Sequence, residues 1–296
     1  MSRVNFARTQ MVGTGYYGHV SLFPVRRVSK KRGAKRKPTS EVQAVLNQKN
    51  SERMLTDQIH LNFTPDDDEV SLDYRNGSMP ADYEDAKRII RNFLRRYKPV
   101  WSAITGKPVS EFKYIIVTEI SKKGRFHHHC LFSGGVDARI IQPIWQRGRT
   151  TVDPLQFDEN GLRGLSKYVM KQRLGYRRWM GSRNLKKPAP RQSDYRLTMR
   201  ELRYINEHPE DVSFIEERFP GWKVSPRGIW CEKIASELRE GDGREAGHGP
   251  ETMPFVQVQL YREECPYWER ARDGGIVYRF GFGPGFRIPD IGFPEA

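Results

Sequence analysis

Short segments in which apolar and polar residues alternate predict β-strands in the first half of the chain. The strongest are YIIVTEI at residues 114–120 and FHHHCLF at residues 126–132, and IHLNFT at residues 59–64 shows the same alternation. A short strand is expected at residues 149–152, whereas the acidic run at residues 66–70 is expected to form a loop. The pattern therefore predicts several strands in this region.

Apolar positions three and four residues apart predict helices around these strands. One helix is expected from Asp82 to Tyr97, with Asp82 as its N-cap and Pro99 just beyond its end. Further helices are expected after Asp137, which would cap a helix containing Pro143, from Asn160 to about Gln172, and in two short pieces within residues 197–219. FVQVQLY (255–261) and IVYRFGF (276–282) predict a small β-rich tail after a linker at residues 241–250.

The formal net charge of +15 indicates a polyanionic partner, because basic side chains displace the counterions condensed on nucleic acids. A ribosomal or membrane-surface protein would carry a similar charge. More than half of the surplus lies in one acid-free run, which we expect to form part of a mobile N-terminal arm (residues 1–41) that binds DNA or RNA; a solvated tail is the alternative. Its basic residues are Arg26, Arg27, Lys30, Lys31, Arg32, Lys35, Arg36 and Lys37.

The loop between the two strong strands predicts a tight hairpin. A connection through Lys122, Lys123 and Gly124, with the glycine in the left-handed conformation, would place Glu119 opposite His127. Because side chains alternate between the two faces of a sheet, Glu119, His127 and His129 would share one face. Two imidazoles and a carboxylate leave open positions on a divalent cation, with Mg²⁺ or Mn²⁺ expected, although imidazole also suits zinc. A hydrogen-bonded cluster without metal is the alternative.

His128 would lie on the opposite, mostly apolar face of the hairpin, where a buried structural histidine is expected. Three cysteines, Cys130, Cys231 and Cys265, are far apart in the chain, which disfavours both a disulfide framework and a zinc site. The chain contains no GxxxxGK[ST] loop, so no nucleotide cofactor is expected.

Tyr168 and Lys171 are candidate catalytic residues on the helix predicted from Asn160. They lie three residues apart and so face the same side of that helix, with Tyr168 at the rim of its apolar stripe. A phenol is a poor nucleophile until a nearby cation favours the phenolate, and Lys171 could provide part of that charge or neutralise a phosphate. Taken alone, Tyr168 would more simply be one of the chain's core tyrosines.

Several of these motifs together resemble a known superfamily. GRFHHHCLF (124–132) is similar to the two-histidine motif of the HUH endonucleases, with His128 where a hydrophobic residue is usual. VTEI (117–120) resembles the part of their replication proteins that supplies an acidic third ligand, and YVMK (168–171) resembles their one-tyrosine motif. IHLNFT resembles their first-strand motif. The pattern over residues 25–235 resembles the rolling-circle replication initiators of filamentous phages, of the gene II protein type.

The resemblance implies an α+β fold with a central antiparallel β-sheet flanked by helices and the hairpin in its middle. It implies an endonuclease domain at residues 42–180, followed by a helical and β extension at 181–240 and the tail at 241–296. The implied activity is nicking of one origin strand by Tyr168, with single-stranded or hairpin DNA as substrate and a host helicase and polymerase as partners. Pro143 departs from the family pattern, and no second tyrosine lies four residues from Tyr168.

Two other functions remain open from the sequence. One is a tyrosine transposase of the same superfamily that moves single-stranded DNA, and the other is a non-catalytic nucleic-acid-binding protein with structural histidines. No apolar run approaches the roughly 20 residues that a membrane-spanning helix needs, and the first residues lack the apolar core of a secretory signal. We therefore expect a protein of the host bacterial cytosol with no membrane partner.

Overall fold

A computed structural model of the protein describes residues 5–26, 41–169, 179–235, 252–270 and 276–278. Its elements in chain order are β1 (Asn5–Thr14), β2 (Tyr17–Arg26), α1 (Glu41–Asn62), β3 (Asp68–Asp73), α2 (Tyr83–Thr105), β4 (Tyr114–Ile120), β5 (Phe126–Phe132), α3 (Ala138–Trp145), β6 (Thr150–Pro154), α4 (Arg163–Val169), β7 (Met180–Gly181), β8 (Arg191–Ser193), α5 (Met199–Glu207), α6 (Val212–Arg218), β9 (Lys223–Ala235), β10 (Thr252–Tyr261), β11 (Trp268–Arg270) and β12 (Ile276–Tyr278).

The chain forms two compact units, and each contains a five-stranded antiparallel sheet. The first unit comprises Met1–Asp57, Glu159–Gly161 and Pro188–Cys265, and the second comprises Gln58–Asp158, Leu162–Lys187 and Pro266–Ala296. Helices flank the sheets, which confirms the α+β class. Among the helices of the described residues, none combines the length and the apolar character that crossing a membrane requires.

The sheet of the second unit has the strand order β6-β3-β5-β4-β7, so the β4–β5 hairpin lies near its middle. The predicted hairpin is confirmed: Glu119 pairs with His127, and the Ser121 amide donates to the Arg125 carbonyl at 2.8 Å. Gly124 has a φ of 75°, the left-handed conformation that this loop requires and that glycine adopts without steric cost. The turn therefore fixes which residue of β5 lies opposite each residue of β4.

Helices α2 and α3 cover one face of this sheet. Phe93 and Tyr97 of α2 stack on each other with ring centroids 5.4 Å apart, and both contact Phe132 of β5. Trp145 at the end of α3 is fully buried and meets Phe93 edge-on. Large aromatic side chains thus pack between the helices and this face of the sheet, and the helices α2 and α3 do not cover the other face of the hairpin.

The segment 59–64, predicted as a strand, instead contains the end of helix α1 and the two residues that follow it. Leu55, Ile59 and Phe63 are each no more than 1% exposed, which is the four-residue spacing of a buried helix stripe. The Phe63 amide donates to the Ile59 carbonyl at 2.9 Å, as it would inside a helix. The period-two alternation of Ile59, Leu61 and Phe63 was a coincidence within this helical pattern.

The acidic run predicted as a loop is also different, because its second part belongs to strand β3. Asp68, Val70 and Leu72 are buried against the helices, while Glu69 and Ser71 project from the other face. Three aspartates and a glutamate in succession disguised this alternation. The first strand of the second unit's sheet is therefore β3, not IHLNFT.

The helix predicted to end at Tyr97 continues through Pro99 to Thr105. Asp82 caps it as predicted, its side chain accepting from the Asp85 amide at 2.8 Å. An internal proline removes one backbone hydrogen bond and typically costs about 3 kcal/mol. Burial of Trp101, whose indole N–H donates to the Gly134 carbonyl at 3.0 Å, holds the following turn in place despite that cost.

The other helix predictions in the second unit hold in part. Asp137 caps α3 and accepts from the Arg139 amide at 2.7 Å, and Pro143 lies inside that short helix. Helix α4 begins at Arg163 instead of Asn160, and the structure describes it only to Val169. The predicted strand at 149–152 is β6.

Residues 5–26 form the β1–β2 hairpin, which contradicts the prediction of a flexible arm for this part of the chain. Strand β10, expected in a separate tail, pairs with β2 in the same sheet, whose order is β8-β1-β2-β10-β9. The two helices predicted within residues 197–219 are α5 and α6, and their buried residues Leu202 and Ile215 pack with Val20 and Val258 of this sheet. The predicted linker at 241–250 lies outside the described residues.

His128 is a core residue, as its position on the apolar face predicted. It is 0% exposed and lies between two hydroxyls, with Tyr74 Oη 2.7 Å from Nε2 and Thr118 Oγ1 2.9 Å from Nδ1. Burial disfavours the imidazolium and, with smaller contributions from His127 and His129, lowers the pKa of His128 to about 3. This imidazole is therefore neutral in the folded protein.

We expect His128→Leu to lower the free energy of unfolding at pH 8 by about 1–3 kcal/mol, because two buried hydroxyls lose their partner. The folded-state pKa is depressed, so the wild-type protein should lose stability as pH falls from the unfolded value near 6.5 toward 3. By pH 5 that loss should reach about 2 kcal/mol relative to the variant, whose leucine does not titrate. Urea unfolding followed by tryptophan fluorescence at both pH values measures the difference.

The matched control is His208→Leu, because His208 is exposed at the end of α5 and should affect stability little at either pH. Unfolding free energies of wild type and His128→Leu that stay parallel between pH 8 and pH 5 would contradict the buried neutral imidazole.

Candidate metal centre

Three candidate ligands lie together on the face of the hairpin that α2 and α3 do not cover. Glu119 of β4 pairs directly with His127 of β5, and Val117 pairs with His129, so strand alternation places all three on one face. The structure thus brings together the set that the sequence singled out. The same alternation sends His128 into the core.

The three side chains are close enough to share one cation. Glu119 Oε2 lies 3.2 Å from His127 Nε2 and 3.7 Å from His129 Nε2. One ligand atom from each residue lies within 4.8 Å of the other two. The two imidazole rings have centroids 5.0 Å apart and planes inclined at 83°, so their nitrogen atoms approach Glu119 from different directions. This arrangement could bind a divalent metal.

The burial of Glu119 supports this use of the site. Its side chain is 9% exposed, and its Oε1 atom accepts no hydrogen bond from any of the described residues. A buried carboxylate oxygen without a partner is costly, and a cation would satisfy it. The hydrogen bond to Glu119 raises the pKa of His127, which shows the negative field that a cation would encounter here.

Strand β3 contributes two residues that the sequence pattern did not reveal. Ser71 lies directly opposite His129, with Oγ 3.4 Å from Nδ1, and Glu69 Oε1 lies 3.7 Å from the same nitrogen. An acceptor beside Nδ1 favours the tautomer that keeps its proton there and leaves the Nε2 lone pair directed at Glu119. The alternation of Glu69 and Ser71 with buried neighbours would have revealed them, had this segment been identified as a strand.

Helix α4 lies over the same face of the sheet as the three ligands. Leu165 lines a small cavity together with Glu69, Val117 and His129, all of which project from that face. The helix start is held by His60 of α1, whose Nε2 atom accepts from the Leu162 amide at 2.8 Å. His60 thus contacts the backbone immediately before α4, which begins at Arg163 and not at Asn160.

The two candidate catalytic residues cannot be placed as fully as the ligands. Tyr168 belongs to α4, one turn after Leu165, but its side chain is outside the part of the chain that the structure describes. Lys171 also lies outside the described residues. In the basic run, Arg26 ends β2, and the remaining members, from Arg27 to Lys37, fall in residues that are not described.

Comparison with known proteins gives one finding. Residues 69–173 match the family model of the replication-associated proteins of the ORF2 and gene II protein type. No curated protein and no solved structure matches the chain. The matched segment begins in β3 and contains both the β4–β5 hairpin with its three candidate ligands and the described part of α4. Residues 69–173 therefore carry the sequence pattern of this family of replication-associated proteins, the kind of protein that the two-histidine and tyrosine motifs predicted.

Proposed function

We propose that this protein is a rolling-circle replication initiator that nicks one DNA strand at an origin and later rejoins strands. The observation that carries the proposal is the position of α4, the helix that includes Tyr168, over the sheet face that carries Glu119, His127 and His129. The family match supports the replication role. If the histidines had only a structural role, the helix that includes Tyr168 would not need to lie over the same face.

A Mg²⁺ or Mn²⁺ ion held by Glu119, His127 and His129 would supply positive charge that polarises the scissile phosphate. Tyr168 is the proposed nucleophile. Its phenolic oxygen forms a bond to phosphorus while the bond from phosphorus to the 3′ oxygen breaks, and the phenolic proton passes to that oxygen. The products are a 5′-phosphotyrosine and a free 3′-OH, and Lys171 favours the reaction by stabilising the phenolate or the phosphate.

The covalent link conserves the energy of the broken phosphodiester bond, so strand rejoining by a second transesterification needs no nucleotide cofactor. The free 3′-OH is a primer for a host polymerase, and unwinding falls to a host helicase. The basic run from Arg26 to Lys37 adds sequence-independent affinity for DNA, which weakens as salt increases.

Replacing Tyr168 by Phe should abolish covalent attachment to DNA while sparing DNA binding, because only the nucleophilic hydroxyl is lost. Purified protein is incubated with Mn²⁺ and a random-sequence library of stem-loop oligonucleotides, and adducts that survive denaturing electrophoresis are counted. A random library makes the test independent of the origin sequence.

Tyr195→Phe is the control, because Tyr195 is 94% exposed and lies outside the matched segment. Adduct formation that persists in Tyr168→Phe would assign the nucleophile elsewhere. Tight binding of the library with no adduct in either protein would favour a non-catalytic DNA-binding protein.

Removing a ligand should weaken metal binding directly. We expect Glu119→Gln to reduce Mn²⁺ affinity by more than roughly tenfold, since loss of a residue that only supports a ligand commonly costs that much. Electron paramagnetic resonance of free Mn²⁺ during a titration measures the affinity without DNA. Glu111→Gln, at an exposed carboxylate of the same unit, should leave the affinity unchanged. Wild-type protein that binds no Mn²⁺ would favour the cluster without metal.

Ser71→Ala and Glu69→Gln should each lower Mn²⁺ affinity by up to about tenfold, less than Glu119→Gln does, because they orient His129 without binding the ion. The same resonance titration measures this, and ¹⁵N NMR of the His129 ring reports whether its tautomer becomes mixed. Ser110→Ala, at an exposed serine, is the control. A lower Mn²⁺ affinity with an unchanged His129 tautomer would contradict the role of Ser71 and Glu69 in orienting His129.

A further inference from the structure

Three arginines surround an open cavity on the outer side of α2. The cavity measures about 220 Å³ and is lined by Ile89, Asn92, Arg95 and Arg96 of α2 and by Arg147, which follows α3. All five residues belong to the second unit. Guanidinium groups and an amide line the opening, and these groups donate many hydrogen bonds and accept few. The cavity therefore suits an anionic ligand.

The three arginines are not paired with carboxylates in the described part of the chain. None of them forms an ion pair with any described residue, and Arg96 Nη1 donates to the Gln146 side-chain oxygen at 3.4 Å. The positive charge of the three guanidinium groups is therefore compensated only weakly by the protein, through the interaction of Arg147 with Asp85. A bound anion would compensate this charge.

The carboxylates at the start of α2 and α3 already interact with basic residues close to them in sequence. Asp85, whose pKa is lowered mainly by its hydrogen bond to Arg88 and only weakly by Arg147, also accepts from the Ala81 amide. Glu84 of α2 forms an ion pair with Lys87, and Asp137, the N-cap of α3, forms one with Arg139. No acidic residue is found in α2 after Asp85.

The loop that carries Arg147 has a fixed shape. The Arg147 carbonyl accepts from the Arg75 amide at 2.7 Å, and Gln142 donates to the Gly148 carbonyl at 2.5 Å and accepts from the Thr150 amide at 2.8 Å. A Cβ atom at Gly148 would meet the Asp73 carbonyl oxygen at 2.1 Å, so glycine is required for this close approach. Arg147 is thus held beside α2 by backbone contacts that do not involve its side chain.

This cavity lies on the opposite side of the sheet from the candidate metal centre. The inner side of α2 packs Ile90 and Phe93 against the face of β4 and β5 that carries His128, and the arginines project from its outer side. Layer spacing puts roughly 15 Å of protein between the arginines and the sheet face of the ligands. A group bound here is therefore not the scissile phosphate.

We propose that Arg95, Arg96 and Arg147 form a second phosphate-binding site, which holds the DNA backbone at a point remote from the cleavage position. The forked donors of arginine match phosphate oxygens in pairs, whereas an uncharged ligand would leave the three charges unrelieved. The choice of DNA over other phosphate compounds rests on the proposed function. Binding at this site is independent of sequence, because it contacts only the backbone.

The test is the salt dependence of binding to a fluorescent 25-base-pair duplex of arbitrary sequence, without metal. Each phosphate contact contributes about 0.9 to the slope of log affinity against log salt, so R95Q/R96Q/R147Q should reduce that slope by about 2–3. Affinity at low salt should fall at least roughly tenfold. Circular dichroism and thermal melting check that the variant is folded.

The control R88Q/R139Q/R218Q removes the same total charge from arginines that are paired with carboxylates in the structure. It should change the slope by less than half as much. Equal slope changes in the two triple variants would mean that overall charge alone is measured, and the site would not exist.

Two further measurements distinguish DNA from a small phosphate compound as the ligand, and distinguish failure of the nickase proposal from failure of this site. Inorganic phosphate is titrated with ³¹P NMR detection: arginine-dependent binding of phosphate with an unchanged duplex slope would assign the cavity to a small phosphate compound and overturn the DNA assignment. Adduct formation at Tyr168 should persist in R95Q/R96Q/R147Q at saturating DNA. If the wild-type protein forms no adduct but its salt slope still depends on the three arginines, the nickase proposal is wrong and the phosphate-binding site stands.

Discussion

The register of the β4–β5 hairpin is the constraint on which the rest of the site depends. Gly124 in its left-handed conformation closes the loop so that Glu119 meets His127 and not a neighbour. A slip of one residue would send His128 to the ligand face and put His127 and His129 among the core aromatics. A single turn therefore decides both the composition of the core and the composition of the candidate metal centre.

The three consecutive histidines show how burial separates chemically identical side chains. His128 is enclosed by Tyr74, Thr118 and Trp145 and stays neutral, whereas His127 and His129 face a carboxylate. Helices α2 and α3 cover the apolar face, and α4 crosses the other face, so each face has its own covering elements. The arginine cavity then lies on the outer surface of the layer that covers the core, away from the ligands.

Local sequence was sufficient to predict the hairpin, the grouping of its three candidate ligands and the cap at Asp82, because alternation, a loop glycine and a cap act over a few residues. It was not sufficient where distant segments decide the structure. The β1–β2 hairpin is stabilised by β10, which lies more than 200 residues later, and the basic run beside it suggested a flexible arm. Pro99 lies inside α2 because Trp101 packs into a core formed by other strands. The role of His60 at the start of α4 likewise needs a contact across 102 positions.

The central claim is that Tyr168 and the three ligands meet at one cation. Paramagnetic broadening tests it most directly: the protein is labelled with 3-fluorotyrosine, and the ¹⁹F signal of Tyr168 is identified by its loss in a variant lacking that ring. One equivalent of Mn²⁺ should broaden this signal beyond detection, whereas one equivalent of diamagnetic Mg²⁺ should leave it sharp. A Tyr168 signal that stays sharp when the site is filled would contradict the account.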